Sequence, residues 1–306
     1  MIVLCTIRRI IHQHCRELKN VCWAIKVVRS QSTVNLSHKI HGPNPTPNGE
    51  AIVVLHGLLG SKRNWQSMCG KITAHTNKSV IVVDARNHGD SPHSDDHDYF
   101  SLAADVSQLI SKLSIKKSTV IGHSMGGRTG MVLALTEPSK VARLIVVDIS
   151  PIIPTSGGRL LDFFPKLINV MISVDFNGMD TLEKAMNAAK TKIAESQLFS
   201  SEDSMYFILM NVGKLPDNSF GWKCNVKALK NNFVHIASFP NMGGKTYDGP
   251  TLFIGGKLSD FIPPGDITGI QKLFPKANLV YIEGVGHNVH AEDPTAFFNV
   301  VAKFLS

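Results

Sequence analysis

A serine between two glycines is the first feature of this sequence that could do chemistry. Residues 122–126 read G-H-S-M-G and fit the pattern G-x-S-x-G. An apolar run precedes them and a helical pattern follows, so Ser124 would lie on a sharp turn from a strand into a helix. Such a turn exposes the serine Oγ, and flanking glycines leave room for the close backbone approach that it requires. The pattern predicts that Ser124 is a nucleophile for acyl transfer.

The general base is expected late in the chain. In sites with this kind of turn the order is serine, acid, histidine, and residues 285–290 read V-G-H-N-V-H after the last apolar run. His287 follows a glycine in a loop, which would let its ring reach Ser124. It would accept the Ser124 proton and return it to the leaving group. His290 is interpreted as a residue that packs in the core or supports the catalytic residues.

Two aspartates could complete the site by orienting the imidazole and stabilising its cation. Asp148 ends the apolar run next to that of Ser124, and Asp260 follows the next run along the chain. The common arrangement favours the position of Asp260, but a carboxylate one strand earlier can reach the same ring. The residues themselves leave both candidates open.

An oxyanion hole is predicted from residues 56–60, which read H-G-L-L-G. The loop after this strand ordinarily supplies one backbone N–H, and the residue after the nucleophile supplies the other. These would be the N–H groups of Leu58 and Met125. His56 is interpreted as a hydrogen-bonded residue that shapes the loop.

Alternating elements would hold these residues. Helical patterns, such as residues 102–113 and 125–135, separate short apolar runs of strand length, and continuous apolar runs are typical of parallel strands covered on both faces. We therefore predict the α/β-hydrolase fold with a mostly parallel sheet flanked by helices. The runs are residues 51–55, 80–83, 119–121, 144–147, 251–254 and 279–282.

One connection is much longer than the others. Roughly a hundred residues separate Asp148 from Thr251, far more than an ordinary crossover needs. Apolar residues at helical spacing within it predict a helical cap over about 152–245, inserted before the penultimate strand. A separate second domain is the alternative.

The amino-terminal segment has a different composition from the rest. Residues 1–35 contain six basic residues and one acidic residue, so removing them from the totals of 32 and 24 leaves 26 basic and 23 acidic residues, a net charge of +3. Such a basic segment resembles a mitochondrial targeting leader and predicts a location in the mitochondrial matrix. The nearly balanced remainder does not favour nucleic-acid binding. We assign residues 1–35 to the leader, 36–50 to a linker and 51–306 to the hydrolase domain.

Four stretches resemble the alpha/beta-hydrolase domain-containing protein 11 family and related bacterial esterases. They are residues 84–92 (DARNHGDSP), 146–151 (VVDISP), 252–256 (LFIGG) and 286–292 (GHNVHAE), and the resemblance extends over roughly residues 52–305. It implies esterase or lipase activity on acyl esters, with mitochondrial diacylglycerol hydrolysis as the family's proposed role, and no metal or organic cofactor. Because the D-I-S-P carboxylate is regular in that family, the resemblance favours Asp148 over Asp260, which would then be a supporting residue. Asn288 departs from the tryptophan that is common there.

The same residues and fold are compatible with functions other than ester hydrolysis. A thioesterase or protein deacylase would use the same residues, and a non-catalytic scaffold would use the fold to bind a mitochondrial enzyme complex. Relatives that act on halides or epoxides carry aspartate at the position of Ser124. His93 and His97 have a spacing that metal ligands can have but are interpreted as solvated, and no run of about 18 apolar residues predicts a membrane-spanning helix.

Overall fold

The computed structural model of the chain describes residues 32–152, 158–199 and 202–306. The predicted leader lies outside these residues, apart from residues 32–35. Thr33–Ser306 form one compact unit.

A twisted sheet forms the centre of this unit. Its strands among the described residues are β1 (His38–His41), β2 (Glu50–Leu55), β3 (Val80–Val83), β4 (Lys117–His123), β5 (Val141–Val147), β8 (Thr251–Gly256) and β9 (Ala277–Ile282); β6 (Val212–Lys214) and β7 (Phe220–Trp222) form a separate hairpin. The order in the sheet is β1-β3-β2-β4-β5-β8-β9, and every neighbouring pair is parallel except β1 with β3. Each predicted apolar run is thus a strand, and the prediction of a mostly parallel sheet is confirmed.

Helices cover both faces of the sheet. The described helices are α1 (Gln66–Thr76), α2 (Tyr99–Lys112), α3 (Met125–Thr136), α4 (Gly158–Ile172), α5 (Leu182–Glu195), α6 (Glu202–Leu209), α7 (Val226–Asn231), α8 (Phe233–Ala237), α9 (Ile267–Leu273), α10 (Val289–Glu292) and α11 (Pro294–Leu305). One core cluster joins the sheet to α2 and α3, and another joins its opposite face to α1 and α11. Strands buried on both faces explain why their sequences are continuously apolar. No helix in the described ranges is long and apolar enough to cross a membrane.

The segment predicted to be a linker is instead part of the fold. Strand β1 lies within residues 36–50 and pairs antiparallel with β3, while Leu36 is buried in the core. The boundary at residue 51 was wrong because β1 is a short edge strand with the sequence H-K-I-H. It has no apolar run, and it is held by backbone pairing to β3.

The long connection between β5 and β8 carries α4–α8 and the hairpin β6–β7. The helical cap is confirmed, and the hairpin within it was not predicted because its strands are only three residues long.

One buried side chain binds the cap where it begins and where it ends. The Arg128 guanidinium on α3 donates to Ser150 O just after β5, at 3.3 Å, and to Ile236 O and Ala237 O at the end of α8, at 3.2 and 2.9 Å. Tyr99 Oη also donates to Ile236 O, at 2.6 Å.

Candidate active site

Ser124 lies on a strained turn between β4 and α3. Its φ is +50°, a value that disfavours side chains, and its N–H donates to Val147 O at 2.9 Å. The close approach of neighbouring backbone atoms leaves no room for a side chain at the two flanking glycines. A Cβ on Gly122 would lie 2.3 Å from Gly126 O, and a Cβ on Gly126 would lie 2.5 Å from Leu55 O. The turn is therefore locked between β2 and β5, with Ser124 partly exposed.

Asp148 occupies the corresponding place one strand away. His123 and Val147, the last residues of β4 and β5, are paired in register. Ser124 and Asp148 therefore follow the ends of two adjacent strands. His287 Nδ1 lies 2.7 Å from Asp148 Oδ2. When the ring is neutral, this bond places the proton on Nδ1 and leaves Nε2 free to accept one.

The Asp148 carboxylate is fully buried, and it has other donors besides His287. Gly256 N–H donates to Oδ1 at 2.9 Å, and Ser259 Oγ donates to Oδ2. These contacts satisfy a buried anion that would otherwise be costly. Ser259 was not singled out from the sequence, because only the loop after β8 places its hydroxyl there.

The structure does not bring Asp260 to the imidazole. Its side chain is exposed to solvent, while the neighbouring Ser259 and Phe261 point to the site. Phe261 stacks on His287, with ring centroids 4.0 Å apart and planes 25° apart.

A series of aromatic rings in contact with one another packs against His287. The His123 ring centroid lies 4.7 Å from that of His287 and 4.9 Å from that of His290, which stacks on Trp65 at 4.0 Å. His123 Nε2–H donates to His287 O at 2.9 Å. Burial, followed by the charge of His287, holds the pKa of His123 well below its usual value and lowers that of His290 to about 3. Both rings therefore stay neutral beside His287.

The predicted oxyanion turn lies against Ser124. Gly60 N–H donates to Gly57 O at 3.0 Å and closes the turn over Leu58. A Cβ on Gly57 would lie 2.7 Å from His123 Nδ1 and 3.3 Å from Ser124 Cβ, so a larger residue does not fit at this position. Met125 begins α3, where the first N–H groups have no partner within the helix. The two predicted N–H groups thus belong to segments on either side of Ser124.

Neutral histidines fix the loops around this turn. His56 Nδ1–H donates to Gly57 O at 2.7 Å, and its Nε2 accepts from Ala85 N–H at 3.0 Å. Burial lowers the pKa of His56, and the ring must be neutral because Nε2 is an acceptor. The role assigned to His56, shaping the loop, agrees with these contacts.

His97 is not solvated as the sequence suggested. Its ring is fully buried, with Nε2 3.4 Å from Met125 Sδ and Nδ1 3.2 Å from Asn87 Nδ2. Burial, together with the charge of Arg86, lowers its pKa to about 3. Within the described ranges no group of three His, Cys, Asp or Glu side chains is arranged to hold a metal ion.

The chain is similar to known proteins over most of its length. Residues 50–294 match the family described as alpha/beta hydrolase fold. The chain belongs to this family. Within the alpha/beta hydrolase family it is 38% identical to proteins named sn-1-specific diacylglycerol lipase ABHD11 from Xenopus tropicalis and Mus musculus, over 92% and 84% of this chain and 85% and 81% of theirs.

A solved structure titled "Marine microorganism esterase" superposes with a TM-score of 0.80 at 32% identity, covering 89% of this chain and 100% of the esterase. This member of the alpha/beta hydrolase family belongs with the ABHD11 proteins and related esterases, and it is a serine hydrolase that cleaves carboxylic esters.

Proposed function

We propose that Ser124, His287 and Asp148 form a catalytic triad that hydrolyses diacylglycerol through an acyl-serine intermediate. The observation that carries this proposal is the 2.7 Å contact between His287 Nδ1 and the buried Asp148 carboxylate, one residue beyond the strand that pairs with that of Ser124. An imidazole held in this way is a competent general base.

In the proposed reaction His287 Nε2 accepts the Ser124 proton as Oγ attacks the ester carbonyl. The Leu58 and Met125 N–H groups stabilise the oxyanion, and His287 then protonates the departing alcohol. Water, activated by the same imidazole, cleaves the acyl-serine and releases the fatty acid. Asp148 stabilises the imidazolium in both steps, and no cofactor takes part.

The substrate class rests on the relatives. The ABHD11 proteins are named as diacylglycerol lipases, and this chain spans more than four-fifths of their length. We also propose that the protein works in the mitochondrial matrix, because its first 35 residues have the composition of a targeting leader.

The test is turnover of diacylglycerol, compared with an acyl-CoA thioester and a protein-bound acyl-cysteine that carry the same acyl chain. We expect the diacylglycerol to be hydrolysed fastest, and Ser124→Ala to lower its turnover by about 10³-fold or more. Ser114→Ala is the matched control, because Ser114 also has a positive φ, of +55°. It lies before the amino-terminal end of β4, whereas Ser124 follows the carboxyl end of the same strand.

Faster turnover of the thioester would favour the thioesterase function. Unchanged diacylglycerol turnover in Ser124→Ala would refute the proposed mechanism. If a folded Ser124→Ala protein fully corrects the defect of cells that lack the protein, the non-catalytic scaffold function would be favoured.

A further inference from the structure

The turn that carries Leu58 has a strained centre. Leu59 has a φ of +58° and stands at the third position of the turn closed by Gly57 O and Gly60 N–H. Glycine or asparagine ordinarily fills this position when φ is positive, and the conformation disfavours leucine. Since the side chain of Leu59 is almost completely buried, it anchors the turn in the core at the cost of this strain. Such a turn keeps its shape only where surrounding contacts hold it.

Both polar backbone atoms of Leu59 are held by side chains from elsewhere in the fold. On one side, Leu59 N–H donates to His88 Nε2 at 3.1 Å, while His88 Nδ1–H donates to Arg86 O at 3.0 Å. Burial keeps the pKa of His88 well below its usual value, so Nε2 remains an acceptor. This contact comes from the loop after β3.

On the other side, the contact comes from the cap. Asn211 Nδ2 donates to Leu59 O at 2.7 Å. Asn211 lies between α6 and β6 and is only 4% exposed. Its own backbone is fixed there, since its N–H donates to Ile208 O at 3.0 Å and its carbonyl accepts from Lys223 N–H at 2.7 Å. The side chain therefore approaches the turn from a rigid part of the cap.

We propose that Asn211 is a positioning residue for the oxyanion hole. By holding Leu59 O it fixes the orientation of the turn, and with it the Leu58 N–H beside Ser124, so the docked cap completes the oxyanion hole. The inference rests on the proposed function, because it assumes that Leu58 N–H stabilises the transition state. The contact matters most when negative charge develops on the carbonyl oxygen, since a donor that is displaced or free to move loses most of its stabilising effect.

A residue that merely fastened the cap would behave differently, and the chain offers a matched control. Asn232 Nδ2 donates to Asp95 O, also at 2.7 Å, and to Ala228 O at 2.9 Å. It therefore also joins the cap to the body of the hydrolase through an amide donor, at a more exposed place that has no hydrogen bond to the turn. Replacing either asparagine by alanine removes an amide donor of equal reach.

The experiment measures kcat and KM of the full-length protein for p-nitrophenyl butyrate, and the affinity for an alkyl boronic acid that forms a tetrahedral adduct with Ser124. For Asn211→Ala we expect kcat to fall about tenfold or more, boronate affinity to fall by a similar factor, and KM to change less than about threefold. For Asn232→Ala we expect kcat and boronate affinity to stay within about twofold of the wild type. If Asn211→Ala does not fold, Asn211→Ser replaces it, because its hydroxyl can hold a water molecule that binds the freed Leu59 carbonyl.

Equal kinetic parameters in the Asn211 and Asn232 variants would overturn the inference, as would a loss confined to KM. Ser124→Ala separates this failure from failure of the proposed function. If Ser124→Ala abolishes turnover while Asn211→Ala resembles Asn232→Ala, only the role of Asn211 is wrong. If Ser124→Ala retains turnover, the proposed function itself is wrong.

Discussion

Among single residues, the two aspartates are the sharpest contrast in the site. Asp148 is buried and hydrogen-bonded to His287, whereas Asp260 is exposed. We expect Asp148→Asn to lower kcat by about 10²- to 10⁴-fold, because an amide at this position favours the wrong imidazole tautomer and cannot stabilise the cation. Asp260→Asn should leave kcat within about twofold.

Steady-state kinetics on one soluble ester measure both variants, and the unfolding midpoint shows whether each is folded. The assignment of Asp148 would be refuted if Asp260→Asn lost activity and Asp148→Asn did not.

Sequence reasoning reached some of these residues and not others for a physical reason. Ser124 could be recognised because the contacts of Gly122 and Gly126 impose a local pattern. The acid could not be chosen from the residues alone, since β5 and β8 are neighbours and both end near the same imidazole. Asn211 carried no signal, because its contact with Leu59 spans 152 positions and depends on how the cap folds.

Among the elements, β1 was missed because a short edge strand has no sequence pattern of its own. The residues before it are nevertheless built into the fold: Val34 N–H donates to Asp105 Oδ1 at 2.8 Å, on a carboxylate that also binds Arg86. Central strands were predictable because burial on both faces imposes continuous apolar runs, and helices were predictable because burial of one face places apolar residues at helical spacing.

Two amino-terminal deletions test where the targeting leader ends and the folded unit begins. Removal of residues 1–31 should leave turnover and the free energy of unfolding unchanged, while the protein stays in the cytosol. Removal of residues 1–36 should lower the free energy of unfolding by about 2–3 kcal/mol, through loss of the Leu36 burial and the Val34 hydrogen bond.

Urea denaturation of both deletion variants and the full chain measures the difference, and microscopy of tagged forms shows the location. Equal urea midpoints for the two deletion variants would contradict the structural role of residues 33–36. Mitochondrial import of the variant that lacks residues 1–31 would contradict the assignment of a targeting leader.

For the whole molecule, buried histidines make stability depend on pH. In the folded protein His97 and His290 have pKa values of about 3, against an ordinary value of 6.5. Between these values the unfolded chain binds more protons, so the free energy of unfolding falls as the pH drops from about 6.5 towards 3. Each histidine contributes about 1.4 kcal/mol per pH unit over that range.

His290→Phe tests this dependence. His290 Nδ1 has no hydrogen-bond partner among the residues that the structure describes, and the ring stacks on Trp65. Phenylalanine can therefore occupy the site without breaking a hydrogen bond of that atom. We expect stability at pH 7 to be retained, and the loss on acidification to be smaller by about 1.4 kcal/mol per pH unit. Chemical denaturation at several pH values measures the slope, and an unchanged slope would show that His290 is not the buried titrating group.

Arg128 gives the cap a mechanical property. Because the guanidinium binds both Ser150, where the chain enters the cap, and Ile236 and Ala237, where it leaves, the two crossings are joined at one point. Neither crossing can therefore move away from α3 without breaking hydrogen bonds to the buried Arg128 side chain. Any opening that admits a bulky substrate would therefore have to take place in the part of the cap between these two crossings.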